Sequence, residues 1–225
     1  MTHQIIKPPR AAALAALAGL AANALLLAVL AGTAIWAIAL LSGGGVTSTA
    51  DRVCDVLAVG SAAEYGLTLL TAVPVIVWLW RARTNADVID IPDGWGRPWV
   101  IFGWFVPFLN LRVPRAIVGA VWRASAPPGA SIWQVNAWWA TWLVYLAGVR
   151  LSSRLTLAGT GGHIGNVLTL YVPVAVDGVA AAVFGALVVW RLTRFQEDHA
   201  VRLAAAVASA PGVHEPALGG EPAPA

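Results

Sequence analysis

Two acidic side chains, Glu64 and Asp177, stand inside apolar runs of the chain. An ionisable group in such a setting is costly unless paired, protonated or wetted, and is a functional candidate by default. In the second run Gly60, Ser61, Glu64, Thr68 and Thr71 recur at helical spacing and share one face. In the fourth, Pro173, Asp177, Ala181 and Gly185 do the same. A third run carries Ser131, Gln134, Trp138, Thr141, Tyr145, Gly148 and Ser152 in alternating steps of three and four, a seam of roughly 3.5-residue period. Lipid offers hydroxyl and amide groups nothing, so this seam is expected to face other helices and bond across the contact. Two readings of Glu64, Asp177, Thr68, Thr141 and Tyr145 stand side by side. In one, a protonated Glu64 or a salt-bridged Asp177 holds the bundle together. In the other, the two carboxyl groups bind a cation or relay protons, a thin pathway without a third acidic or histidine partner.

The elements that position these residues follow from composition. The chain has 225 residues, 59% hydrophobic and 11% charged, against roughly 25% charged in an ordinary soluble domain. So much apolar surface calls for lipid as the solvent along much of the chain. One cysteine, Cys54, excludes an intramolecular disulfide framework and a cysteine metal cluster. Lys7 is the sole lysine among fourteen basic residues, and arginine with abundant Ala, Gly and Pro points to a GC-rich bacterial genome. Catalytic templates fail. GTGGHIG (159–165) imitates a nucleotide loop but lacks a preceding strand and a Gly-Lys-Ser/Thr. His163 is the only histidine near a span, which excludes a paired-histidine haem and makes a zinc site implausible. There is no Gly-x-Ser-x-Gly elbow and no His-Glu-x-x-His. No enzyme, cofactor or metal centre is expected.

About 20 apolar helical residues cross a bilayer, and four runs meet that length: 11–41, about 53–80, about 132–151 and about 167–192. The first is too long for a signal-peptide core of about 7–15 residues and is expected to stay uncleaved, ended by Gly43-Gly44-Gly45. Glu64 lies about eleven residues into the second run, roughly 16 Å deep by helical rise. The positive-inside rule orients the chain. With four spans and residues 1–10 cytoplasmic, only Arg52, Arg150 and Arg154 lie outside, and the other eleven basic residues lie inside. A fifth span across 98–123 makes the split seven to seven, so four spans with both termini cytoplasmic are preferred. The residues after Leu203, 204–225, are Ala/Pro/Gly-rich with little to bury and read as a disordered tail.

The segment Trp78–Ser125 holds Arg81, Arg83, Arg97, Arg112, Arg115 and Arg123 beside Trp78, Trp80, Trp95, Trp99, Trp104 and Trp122. Arginine and tryptophan together suit a membrane–water boundary. Residues 98–111 are too few to cross, so they dip in and return or lie along the interface. Pro107 and Pro114 break the helix, Asn110 bonds freed carbonyls, and Pro114 opens a second helix as its first residue. From Pro114 to Ser125 the arginines fall on one side, and Ile117, Val118, Val121 and Trp122 on the other, the pattern of an interfacial amphipathic helix. Arg81 and Arg83 follow the second span and can snorkel to headgroups. The six arginines form a basic apron, partly offset by Asp87, Asp90 and Asp93. Expected partners are the bilayer with its anionic phospholipid headgroups, and a membrane protein or a second copy of the chain, with no nucleic acid.

The stretches WLWRARTNA (78–86) and GWGRPWVIFGWFVPFLNLRVPRAIVGAVWRAS (94–125) resemble the signature of the domain of unknown function 4328, a family of bacterial, largely actinobacterial, integral membrane proteins. Arg81, Arg83, Asn85, Trp104, Pro107, Asn110, Pro114 and Trp122 occupy its motif positions, and the resemblance spans about 53–199. Arg112 stands where the family more often has an aromatic, and Gly119 and Ala120 where it has charges. The resemblance implies membrane placement without a reaction. The expected fold is all-α and integral to the cytoplasmic membrane, with four transmembrane helices and a re-entrant or interfacial element (98–125) between the second and third. The expected role is that of a scaffold or a partner- or lipid-binding protein acting through Arg81, Arg83, Asn85, Trp104, Pro107, Asn110, Pro114, Arg115, Trp122 and Arg123. The alternative is a small transporter or channel using Glu64 and Asp177.

Overall fold

Long runs of alanine, leucine and valine favour helix, and in lipid a helix also satisfies every backbone group internally. The computed structural model describes residues 8–43, 47–90, 94–157 and 164–209. Among them the chain is all-helical, with no strand. In chain order the elements are α1 (Arg10–Ser42), α2 (Thr47–Ile89), α3 (Trp99–Phe102), a 3₁₀ turn (Leu109–Leu111), α4 (Val113–Ser125), α5 (Trp133–Leu157) and α6 (Ile164–Ser209).

Three of these helices, α1, α2 and α6, are long and apolar enough to cross a membrane. Of the four expected spans, α5 falls outside that set. It is long enough, but Gln134, Asn136, Arg150 and Arg154 dilute its apolar residues, and Trp133, Trp138, Trp139 and Trp142 are amphipathic rather than purely apolar. The exterior of the helices supports a lipid-facing surface: Leu25, Val59, Leu69, Leu70 and Val73 are among many large apolar side chains left exposed.

Small residues set the packing. On α1 the buried positions Leu27, Leu30, Ala31, Ala34 and Ala37 follow helical spacing and form one face. Gly60 of α2 meets Leu30 of α1, and Gly19 of α1 meets Thr71 of α2, so these helices run antiparallel. Leu27 and Leu20 of α1 meet Gly178 and Gly185 of α6, and Arg10 pairs with Glu197 at 2.7 Å, so α1 and α6 are antiparallel too. The seam of α5 faces α6. Gln134 turns its amide oxygen toward Arg191, Trp138 lies on Gly185, Tyr145 on Gly178, and Gly148 on Val174. The four long helices therefore form a curved row in the order α2, α1, α6, α5, each antiparallel to its neighbour. The extensive interfaces are those within this order, with hydrogen bonds bridging α2 and α6 as well, and α2 and α5 form no packed interface with each other.

What fills the gap between α2 and α5 at one end is α4, which contacts α2, α5 and α6. Here the structure corrects the sequence reading. Ile117, Val118, Val121 and Trp122 do not face an interface; they are buried in the main core with Trp78, Leu79, Val188 and Leu192. α4 begins at Val113, so Pro114 is its second residue rather than its first; both positions lack an intrahelical acceptor for an N–H, so proline fits equally. Three helices also outrun their expected spans. α2 continues nine residues past Trp80, α5 continues six past Leu151, and α6 continues through the Ala-rich residues 204–209, so the expected tail starts as helix. Alanine's high helix propensity extends α6 without any need for burial. The rest of the tail, Gly44 and Gly45, and His163 lie outside the described residues.

Candidate functional site

Two groups of polar residues lie at opposite ends of the row. At the end away from α4, the helices enclose a cavity of about 420 Å³ that Glu64, Tyr145 and Tyr171 line with Leu27, Ser61 and Val174, among others. Glu64 is 4% exposed. Thr68, one turn on, lies 2.8 Å from its Oε1 and also 2.8 Å from Oδ1 of Asn23 on α1. The Asn23 amide donates to the Gly19 carbonyl at 2.9 Å and to Thr71 at 2.8 Å, and Thr71 in turn donates to the Leu67 carbonyl at 2.8 Å. A carbonyl can only accept, so this fixes the orientation of the Asn23 amide and leaves its oxygen facing Thr68. The Thr68 hydroxyl therefore has one hydrogen and two acceptors. Thr68 donates to Glu64 or to Asn23, one at a time, at the same distance from each.

Tyr145 reaches the same carboxyl from α5. It can do so because residue 178 is glycine: a Cβ there comes within 2.8 Å of both the Tyr145 ring and Leu27. From α6 Tyr171 bonds Ser61 at 3.2 Å. The structure thus brings together Glu64, Thr68 and Tyr145 of the expected polar set. It does not bring in the other two. Thr141 is bonded to the Ala137 and Trp138 carbonyls of its own helix. Asp177 does not line the cavity, makes no ion pair among the described residues, and its buried Oδ2 has no hydrogen-bond partner there. Asn23 and Tyr171 were missed from the sequence. Asn23 is the one amide in the first apolar run, a signal that was available. Tyr171 had none beyond its own polarity.

At the α4 end the motif residues divide. Arg83 is buried rather than snorkelling: it pairs with Asp87 one turn on and donates to the Trp95 carbonyl at 3.4 Å. Asp87 also takes Arg97 at 2.7 Å, so one carboxylate ties α2 to the segment leading into α3. Asn85 is buried and donates to Gln196 at 3.0 Å. Gln196, fully buried, donates to the Ala82 carbonyl at 2.8 Å and to Ser125 at 3.2 Å. Trp78 donates to Thr193 at 2.9 Å, and Trp122 packs edge-on to Phe195 with centroids 5.2 Å apart. Half-buried Trp104 packs on Trp139, whose indole donates to the Leu111 carbonyl at 3.1 Å. Asn110 enters the backbone network through its own N–H, which donates to Val106 at 2.9 Å.

Other residues of this segment point outward. Arg81, Arg112, Arg115 and Arg123 are exposed, as is Pro107; Arg115 bonds Asn136 at 2.7 Å. Phe102, Phe105 and Phe108 are exposed too, Phe108 at 87%. Phe108 holds φ at 64°, and the Leu109 N–H reaches the Pro107 carbonyl at 2.8 Å, a tight three-residue turn. A bulky residue at positive φ is strained, and such strain clusters at functional positions. These phenylalanines were not singled out in the sequence, where they read as part of one apolar stretch.

Among the described residues no group of three or more His, Cys, Asp or Glu is placed to hold a metal. In comparisons with known proteins, residues 45–194 match the domain of unknown function (DUF4328). No curated protein and no solved structure matches the chain. α1 precedes the matched region, and Gln196 falls two residues beyond it.

Proposed function

The chain belongs to the family of the domain of unknown function DUF4328, and on that premise we propose that it is a four-span protein of the bacterial cytoplasmic membrane, non-enzymatic, that binds lipid or a membrane partner through the segment between α2 and α5. The four-span reading is supported by α5 lying antiparallel along α6 from Gln134 to Gly148, so that the two share the same depth. Both termini then fall on the side of α4, where the basic residues cluster, in keeping with the positive-inside rule.

The observation that carries the binding role is the exposure of Phe102, Phe105 and Phe108 next to Arg112 and Arg115. Apolar rings beside exposed guanidinium groups suit the boundary of an anionic bilayer, the rings among acyl chains and the arginines at the headgroups. The buried core of α4 braces this surface from behind. A single cysteine placed at 108 or at 123, with Cys54 replaced, tests it. A spin label at 108 is expected to be accessible to oxygen and shielded from a water-soluble relaxant. The thiol at 123 is expected to react in intact cells only after permeabilisation. External labelling at 123, or a water-exposed label at 108, overturns the reading.

A second reading, a small transporter or channel, is favoured by the cavity around Glu64. It rests on Glu64, Thr68 and Tyr145 without Asp177. Proteoliposome flux is then expected to fall for Glu64→Gln, and unchanged flux removes that reading.

A further inference from the structure

The cavity at the open end has one buried carboxyl group and no counter-charge. Among the described residues no basic side chain lines it or pairs with Glu64. The titratable groups facing Glu64 are Tyr65 on α2, Tyr145 on α5 and Tyr171 on α6, while α1 presents the neutral Asn23. Thr68 has one hydrogen for the two acceptors Glu64 and Asn23, so the string has room for a further proton at the carboxyl. A carboxylate left bare in this setting is unfavourable, so whatever removes that proton must supply a positive charge in its place.

The lining says what kind of cation fits. A bare metal ion needs several ligating groups, and one carboxyl with tyrosine and serine hydroxyls does not provide them. Tyrosine rings, by contrast, attract organic cations through their faces. Leu27, Val149 and Val174 offer apolar contact for a hydrocarbon body, and the volume lies in the range of small-molecule sites.

We propose that this cavity binds a small organic cation, an amine or quaternary ammonium with an apolar body, in exchange for the proton of Glu64. The carboxylic O–H bond breaks, the proton leaves to water at the open end of the helices, away from α4, and the carboxylate faces the bound cation, so the charge of the site is unchanged. Thr68 then donates its hydrogen to the carboxylate instead of to Asn23. The proposal rests on the second reading above, that the open end takes a ligand.

The test uses the full chain in nanodiscs and titration calorimetry near neutral pH, in two buffers of different ionisation heat. Benzyltrimethylammonium is the probe, and neopentylbenzene its uncharged isostere. Wild type is expected to release about one proton per cation bound and to bind the isostere at least about tenfold more weakly, a difference of roughly 1.4 kcal/mol. Glu64→Gln keeps the shape of the side chain and is expected to abolish proton release and lower cation affinity at least about tenfold. Ala175→Leu, which fills the cavity without touching the carboxyl, is expected to weaken cation and isostere alike. Equal binding of cation and isostere with no effect of Glu64→Gln overturns the ligand class and leaves the ligand-binding reading standing. Binding of neither compound by wild type overturns both.

Discussion

At one end of the helix row α4 fills the space between α2 and α5; at the other the same two helices leave a cavity of about 420 Å³. The two ends also treat buried polar groups differently. Around α4, Gln196 spends both amide hydrogens on Ala82 and Ser125 and accepts from Asn85, which locks α2, α4 and α6 into one register. Around Glu64 the one hydrogen of Thr68 can serve either of two acceptors. A network with one arrangement specifies a structure. A network with two arrangements is what the proposed ligand would act on. The difference assigns structural specification to the end holding α4 and the proposed binding to the open end.

The largest break in that comparison comes from Trp122. It is 1% exposed and central to the core of the α4 end, so Trp122→Ala is expected to cost about 3–5 kcal/mol in unfolding free energy. Val149→Ala, at the rim of the cavity, has less to lose. Equal losses in thermal unfolding would erase the distinction between the ends. Next comes Asp87→Ala, which strands the buried Arg83 guanidinium. Removing one partner of a buried ion pair costs on the order of 3 kcal/mol, discounted here because Asp87 and Arg97 are partly solvated. Loss of order near Trp95, read as increased proteolysis between α2 and α3, is the accompanying sign. Gln196→Leu follows, at about 1–3 kcal/mol, because it removes from a buried site the amide that bonds Asn85, Ala82 and Ser125. A double variant with Asn85→Leu is expected to recover part of that loss.

Much of the fold was legible from apolar run length and spacing, and the family from rare residues over a long stretch. The seam from Gln134 to Gly148 was read as a packing face, and it lies on α6 as such a face should. What was not legible depends on which elements meet. The arginine–apolar pattern of α4 is the same whether its apolar side faces acyl chains or other helices, and only the gap between α2 and α5 decides for the helices. Likewise Arg83 and Arg81 look alike two residues apart, yet one turns toward Asp87 and the other toward the surroundings. The polar site was half legible. Glu64 and Thr68 share a helix and can be grouped by spacing, but Asn23 and Tyr171 join them from helices whose register no local pattern sets. Asp177 fitted the spacing of a shared face and lies away from the cavity for the same reason.

The smallest expected effect is the sharpest test of the contrast. Tyr171→Phe removes only the hydroxyl that meets Ser61 at 3.2 Å, and leaves the ring in place. Hydrogen bonds between helices in a membrane average about 0.6 kcal/mol, because the separated helices also find partners. Tyr171→Phe is therefore expected to change unfolding free energy by about 0.6 kcal/mol or less. Gln196→Leu deletes a side chain that also bridges helices, but it removes three buried hydrogen bonds rather than one, so its loss should be several times larger. The ratio of the two losses measures how differently the ends are determined. If Tyr171→Phe costs as much as Gln196→Leu, the Ser61 contact is as obligatory as the Asn85 contact, and the open end is a structural clasp rather than a site with room to rearrange.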